Sequence, residues 1–367
     1  MKDFERPITV ALDVMGADVS PESIMKGGLM AALELVDRLN LVFVGKQEVI
    51  NDFLKKQSGM PKNITIEEAP HAVAMSDAPT EGIRKKNSSI AVGLAMKKEG
   101  RADAFVSAGN TGAVMASAIY ILGKIEGIVR PAIAGLFPTI ANKPTLVLDV
   151  GANVDCKPAT LLQFGIMGSV YASLMTGRTS PKIGLLSIGE EKSKGNEQVL
   201  QTWELFKGSG LNFIGNVEGR DILEGRADVV VADGFVGNVI LKFAESVEGF
   251  LTKSIKRQIQ TNIFSRMGAV LMMPFLRRLR RTFDYSEYGG APLLGVEGVC
   301  IICHGSSSPK AIKNAIVVAS EMVRHHISDN ICQEMAMNNN GSKYGQNNKG
   351  QNNGGRFIPT IPSTDKQ

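Results

Sequence analysis

The sequence predicts an α/β protein built on one large, mostly parallel sheet in an α/β/α layering. Three observations predict it: short β-branched runs recur along the chain, helix-length segments separate most of them, and the runs end in small or polar residues. Nearly continuous apolar strands fit a sheet covered on both faces.

In chain order the runs are "ITVALDVMGAD", "LNLVFVG", "NITIEEA", "DAFVSAGN", "TLVLDVGAN", "KIGLLSIGE", "NFIGNV", "DVVVADG" and "GVCIICHG". Helices are expected between them, among them "PESIMKGGLMAALELVDRL" and "PATLLQFGIMGSVYASLM". With 367 residues, 44% of them hydrophobic, the chain can bury a substantial core, and residues 1–335 read as one α/β domain. After Met335 the composition turns to Asn, Gln and Gly, so residues 336–367 are expected to be a disordered tail without a catalytic role.

The start, "MKDFERPITVALD", has no basic-then-apolar leader, and no apolar run approaches the roughly 18 residues of a spanning helix. Cys156, Cys300, Cys303 and Cys332 are few for this length, as expected of reduced thiols. The expected location is the cytoplasm. The net charge of +5 is local: residues 249–283 carry eight Lys and Arg and no Asp or Glu, which leaves −3 on the remainder. That pattern argues against nucleic-acid binding over the whole surface.

Six strand ends share a polar chemistry: residues 13–18, 107–112, 149–153, 189–191, 233–238 and 304–307. In open parallel sheets ligands bind at the carboxyl ends of strands, so such an accumulation indicates a shared site, although Ser, Asn and Asp also cap ordinary helices. Ser107, Gly109, Asn110, Thr111 and Gly112 form a small-residue turn into a helix, suited to a phosphate or another small oxyanion. It is neither a Walker loop nor a dinucleotide fingerprint. Nearby, Arg84, Lys85 and Lys86 are either a solvated helix face or part of an anion site.

"CIICH" at residues 300–304 matches a haem attachment pattern, but nothing predicts export, and the finger-like spacing of further zinc ligands is missing. No metal is expected. His304 is the better site candidate there. The basic stretch carries Ile255, Ile259, Ile263, Met267 and Leu271 at helical spacing, an interruption at Pro274, and then Phe275, Leu276 and Leu279 among arginines. It reads as a membrane-surface or acidic-partner helix, or as a dimer-packing one.

Together these stretches resemble one family, the phosphate acyltransferases of bacterial phospholipid synthesis (PlsX type). The segments that carry the resemblance are "SAGNTGAVMA", "DVGANVDCKPATLLQFGIMGSVYA", "GLLSIGEEKSKGNE", "NFIGNVEGRD", "DVVVADGFVGNVILK", "YGGAPLLGV" and "HGSS", and it spans about Ile8 to Ser328. "DVMGAD" departs from it at Ala17, where the family more usually has a second glycine. The resemblance implies a fold like that of phosphotransacetylases and isopropylmalate dehydrogenases, a homodimer and no organic cofactor. It implies transfer of a fatty acyl group from acyl–acyl carrier protein to inorganic phosphate, giving acyl phosphate for phospholipid synthesis.

By the same resemblance Lys194 is a catalytic cation and Asn238 a polar donor, with His304 a candidate for protonating the departing thiol. Ser107, Gly109, Asn110, Thr111 and Gly112 bind phosphate, with Asn153 and Asn196 nearby. Met272, Met273, Phe275, Leu276, Arg277, Arg278, Arg280 and Arg281 contact membrane or carrier protein, placing the enzyme at the inner face of the membrane beside a glycerol-3-phosphate acyltransferase. Rival readings are an acyl-CoA-using phosphotransacetylase, a dehydrogenase on the related fold, and a non-catalytic membrane adaptor.

Overall fold

The β-branched runs become strands and the segments between them helices in the computed structural model, which describes residues 6–57, 61–141, 143–260, 263–283 and 289–344. The chain begins β1 (Ile8–Asp13), α1 (Pro21–Glu34), β2 (Leu39–Gly45), α2 (Gln47–Lys55), β3 (Ile64–Glu68), α3 (Glu81–Arg84), α4 (Ser89–Lys98), β4 (Ala104–Ser107) and α5 (Thr111–Ile121). It continues β5 (Ala132–Phe137), β6 (Thr145–Leu148), α6 (Pro158–Thr176), β7 (Ile183–Leu186), α7 (Glu197–Lys207), β8 (Phe213–Val217), α8 (Gly219–Glu224) and β9 (Val229–Val231). It closes with α9 (Gly234–Ile259), α10 (Ile263–Phe283), β10 (Ala291–Leu294), β11 (Val299–Ile302), α11 (Pro309–Arg324) and α12 (Ile327–Tyr344).

All eleven strands join one sheet in the order β3-β2-β1-β4-β11-β10-β5-β6-β9-β7-β8. Alternate side chains of a strand point to opposite faces, and each face is covered. Ile8, Val10 and Leu12 of β1 pack with Ile24 of α1, Phe164 of α6 and Ile316 of α11 in one apolar cluster. Ala11, between them, joins a second cluster with Leu94 of α4 and Val114 of α5. The layering is therefore the expected α/β/α arrangement.

Two strands were not legible as runs, β5 ("AIAGLF") and β10 ("APLL"), and they decide the direction of half the sheet. β10 runs antiparallel to both β11 and β5, and β5 runs antiparallel to β6. Three reversals leave β6, β7, β8 and β9 pointing opposite to β1, β2, β3, β4 and β11, while the pairs within each half are parallel. The carboxyl ends of the two halves therefore lie on opposite edges of the sheet.

Four local expectations are revised. Pro274 does not interrupt its helix; it lies inside α10, where it leaves one intrahelical bond unmade. The basic segment is two helices, α9 ending at Ile259 and α10 starting at Ile263. α12 carries a helical backbone to Tyr344, beyond the boundary at residue 335, anchored by buried Ile331 and Met335; the rest of the tail lies outside the described residues. Finally, α6 is long and apolar enough to cross a membrane, yet Leu161, Phe164, Met167 and Tyr171 are buried against the sheet and its neighbours, as in a core helix.

That packing is close. A Cβ on Gly165 of α6 would meet the Phe206 ring at 2.3 Å, and this ring is stacked on Phe213 at 5.0 Å between centroids. The ring is buried at 1% exposure and stacked, so it cannot yield towards Phe213 or solvent. Gly165→Ala is expected to lower unfolding stability by roughly 1–3 kcal/mol despite alanine's better helix propensity, measured by urea or thermal denaturation.

Candidate active site

The six polar strand ends divide into two groups. Residues 13–18, 107–112 and 304–307 follow β1, β4 and β11 on one edge of the sheet, and residues 149–153, 189–191 and 233–238 follow β6, β7 and β9 on the other. Four strand steps separate β4 from β6, about 19 Å across the sheet before any offset along the strands is counted. One protomer thus places Lys194, Asn238, Asn153 and Asn196 on one edge of the sheet and Ser107, Gly109, Asn110, Thr111, Gly112 and His304 on the other.

On the first edge Asp13 is fully buried at the end of β1. The Ser107 hydroxyl donates to its Oδ2 at 2.7 Å, the Met15 amide donates to its Oδ1 at 2.9 Å, and the Gly109 amide donates back to Ser107 Oγ at 3.0 Å. Asn110 caps α5 by accepting from the Ala113 amide, while its own amide donates to the carbonyls of Ala74, Met75 and Asp77. Gly112 faces Pro79. The small-residue turn is therefore packed against residues 74–79 of its own chain, and Thr111 is its exposed member.

His304 is exposed on the same edge, its Nδ1 2.8 Å from Ser306 Oγ. A pocket of about 420 Å³ opens on this edge between Met15, Lys46, His71 and Lys85; Lys85 also pairs with Asp77 at 2.7 Å. Arg84 pairs with Glu81 at 3.1 Å, so the basic triplet is in part neutralised.

The second edge is organised by Asp149. Its carboxylate accepts from the amides of Ile133 (3.1 Å), Gly151 (3.1 Å), Ala152 (3.0 Å) and Asn153 (2.7 Å), and from Asn153 Nδ2 (2.9 Å). Burial pushes its pKa up and those donors oppose the shift. The Asn153 carbonyl then accepts from the Gly234 amide at 2.7 Å, and Asp233 caps α9 by accepting from the Val236 amide. A Cβ on Gly237 would lie 1.9 Å from the Asp149 carbonyl, so α9 docks backbone to backbone on this loop. Asn238 emerges exposed on the next position, beside Gly151, and its side chain makes no hydrogen bond among the described residues.

Lys194 lies exposed past the end of β7, which pairs with β9. Among the described residues it has no carboxylate within ion-pair distance, whereas nearby Lys192 pairs with Glu204. Asn196 caps α7 by accepting from the Val199 amide at 2.9 Å. Arg130, exposed just before β5, is a second cation at this edge that the sequence reading missed; its charge acts on Cys156.

Cys156, in the loop after β6, is pushed up to about 12 by burial and then by the charges of Asp149 and Asp233. At neutral pH it is a thiol and a poor nucleophile. Cys300 and Cys303 are buried and also pushed up to about 12 by burial. No group of three or more His, Cys, Asp and Glu suited to a metal occurs among the described residues. This edge therefore carries two exposed cations, Lys194 and Arg130, and the Asn238 carboxamide, while Cys156 is held as a thiol.

The apolar side chains of the basic segment face outward: Met272, Met273 and Phe275 are exposed, as are Phe243 and Phe250 of α9. The side chains of Leu276, Arg277, Arg278, Arg280 and Arg281 lie outside the described residues.

Asp13 makes a pH prediction. Burial pushes its carboxyl up to about 6, against the bonds from Ser107 and Met15. Because the folded value is raised, the stability Asp13 contributes is full below its ordinary pKa near 4 and is lost as pH rises through about 6. The unfolding free energy of Asp13→Asn, relative to the unsubstituted protein, should rise between pH 4 and about 6 by up to roughly 3 kcal/mol and then level off. A pH-independent difference in urea titrations would contradict this.

Comparison with known proteins adds the following. The family model described as "Fatty acid synthesis protein" matches residues 8–330. A phosphate acyltransferase from Pelotomaculum thermopropionicum is 48% identical over 88% of this chain and 93% of that protein. Another from Heliobacterium modesticaldum is 50% identical over 86% of this chain and 94% of that one. Among solved structures, a phosphotransacetylase from Streptococcus pyogenes superposes with a TM-score of 0.61 at 17% identity, covering 87% of this chain and 94% of that chain. The EutD phosphotransacetylase from Staphylococcus aureus gives 0.58 at 16% identity, with coverage of 86% and 94%. At such identities the structural likeness speaks for the fold alone.

Proposed function

This chain belongs to the fatty acid synthesis protein family whose curated members are named phosphate acyltransferases, and from that premise we propose one reaction. It transfers a fatty acyl group from acyl–acyl carrier protein to inorganic phosphate, releasing the carrier thiol and acyl phosphate for phospholipid synthesis. A phosphate oxygen attacks the thioester carbonyl carbon, the new C–O bond forms, the C–S bond breaks, and the thiolate takes up a proton from solvent. Phosphate is already an anion at neutral pH, so it requires positioning more than deprotonation.

The observation that carries the reading is the pair of polar side chains without a partner among the described residues, Lys194 and Asn238, in the segments that follow adjacent parallel strands. Lys194 and Arg130, on the same edge of the sheet, supply positive charge to phosphate and to the oxyanion that develops on the carbonyl, and the Asn238 amide donates to the same centre. Asn153 and Asn196 shape the loops around it. Ser107, Gly109, Asn110, Thr111, Gly112 and His304 stay outside this centre in one protomer, so proton delivery is not assigned to His304. The raised Cys156 thiol supports direct transfer without an acyl-enzyme.

In the same reading the protein is a homodimer in the cytoplasm, working at the inner face of the membrane and passing acyl phosphate to a glycerol-3-phosphate acyltransferase. The exposed apolar residues of α9 and α10, combined with eight positive charges and no acidic residue over residues 249–283, support contact with an anionic lipid surface or with the acidic carrier.

Two tests follow. Purified protein mixed with acyl–acyl carrier protein should release thiol only when phosphate is present, and Lys194→Met should slow release by about 10²- to 10³-fold with an unchanged melting temperature. Phosphate-independent release, or a near-normal rate in the variant, would contradict the mechanism. Co-sedimentation with anionic vesicles should fall several-fold in Phe275→Glu; undiminished binding would remove α10 from the membrane contact.

A further inference from the structure

Asn216 is a residue that no motif reading singled out. It sits at the fourth position of β8 and is 1% exposed. Its Nδ2 donates to the Glu191 carbonyl at 2.9 Å and to the Lys194 carbonyl at 3.4 Å. Ser187 Oγ, at the end of β7, donates to that same Lys194 carbonyl at 3.1 Å. The Lys194 amide closes the turn on Glu191 at 3.0 Å, and Gly195 follows with φ of +117°. The Lys194 backbone is thus held from two strands by side-chain donors, while its exposed side chain has no partner among the described residues.

The other end of the same carboxamide does nothing. Asn216 Oδ1 is buried without a hydrogen-bond partner among the described residues. A buried carboxamide satisfied at one end is a poor stabiliser of a fold, and an apolar residue of equal volume would suit that position better. Burial of a half-used amide fits a residue retained for its donors. Resting on the catalytic reading of Lys194, we infer that Asn216 is a positioning residue that, with Ser187, fixes the Lys194 loop so that the ammonium meets the reacting centre.

The test measures steady-state thiol release from acyl–acyl carrier protein in the presence of phosphate. Asn216→Leu, which keeps the branched shape without the donors but is larger, should still fold while kcat falls roughly 10- to 100-fold and the donor KM stays within about twofold. In a Lys194→Ala background the same substitution should add no further loss, because the group being positioned is gone. Ser187→Ala, at a partly exposed position, should show the same direction with a smaller loss, and it decides the matter if Asn216→Leu fails to fold. Wild-type kcat in whichever variants fold, or losses that multiply in the Lys194→Ala background, would overturn the inference. Full turnover in Lys194→Ala alone would instead overturn the catalytic reading beneath it.

Discussion

A buried carboxylate at a strand end is the constraint on which both edges of this molecule depend. Asp149 gathers the amides of Ile133, Gly151, Ala152 and Asn153, which joins the start of β5 to the loop after β6. Through the Asn153 carbonyl and the Gly234 amide it also fixes the start of α9, and with it Asn238. Asp13 does a smaller version of the same work through Ser107 and Gly109. An ionised carboxyl group is costly to bury, and several N–H donors aimed at one ion are what make the arrangement tenable.

This has a chemical consequence. Amides in small-residue loops at strand ends are the usual cradle for a phosphate. Here many of them are directed at the protein's own carboxylates, so the loops are rigid, but their anion-binding capacity is already filled from inside. In the proposed mechanism, recognition of an external oxyanion falls to side chains without a partner among the described residues: Lys194, Asn238 and Arg130. A site of this kind has little reorganisation to do when charge develops on the substrate.

The sequence made the layering legible because β-branched runs and apolar helix segments are local signals. It did not make the edges legible. "AIAGLF" and "APLL" carry few β-branched residues, so neither stands out as a strand, yet their antiparallel pairing reverses half the sheet. Six polar strand ends consequently look like one site in the sequence and occupy two edges in the fold. Lys194 and Asn238 stand out in the sequence only through the family motifs that contain them. Asn216 lay inside the quoted segment "NFIGNVEGRD" without standing out, since an asparagine there looks like any polar residue flanking a turn, and the role inferred for it exists only through two carbonyls twenty-odd residues earlier.

The central claim is that fixed charge and oriented dipoles let phosphate displace the thiol directly. Intact-mass spectrometry of the protein, quenched after mixing with acyl–acyl carrier protein in the absence of phosphate and again after phosphate is added, tests it most directly. The account predicts the unmodified protein mass at every time point. A mass increase equal to the acyl chain, which disappears at the turnover rate once phosphate is supplied, would contradict it.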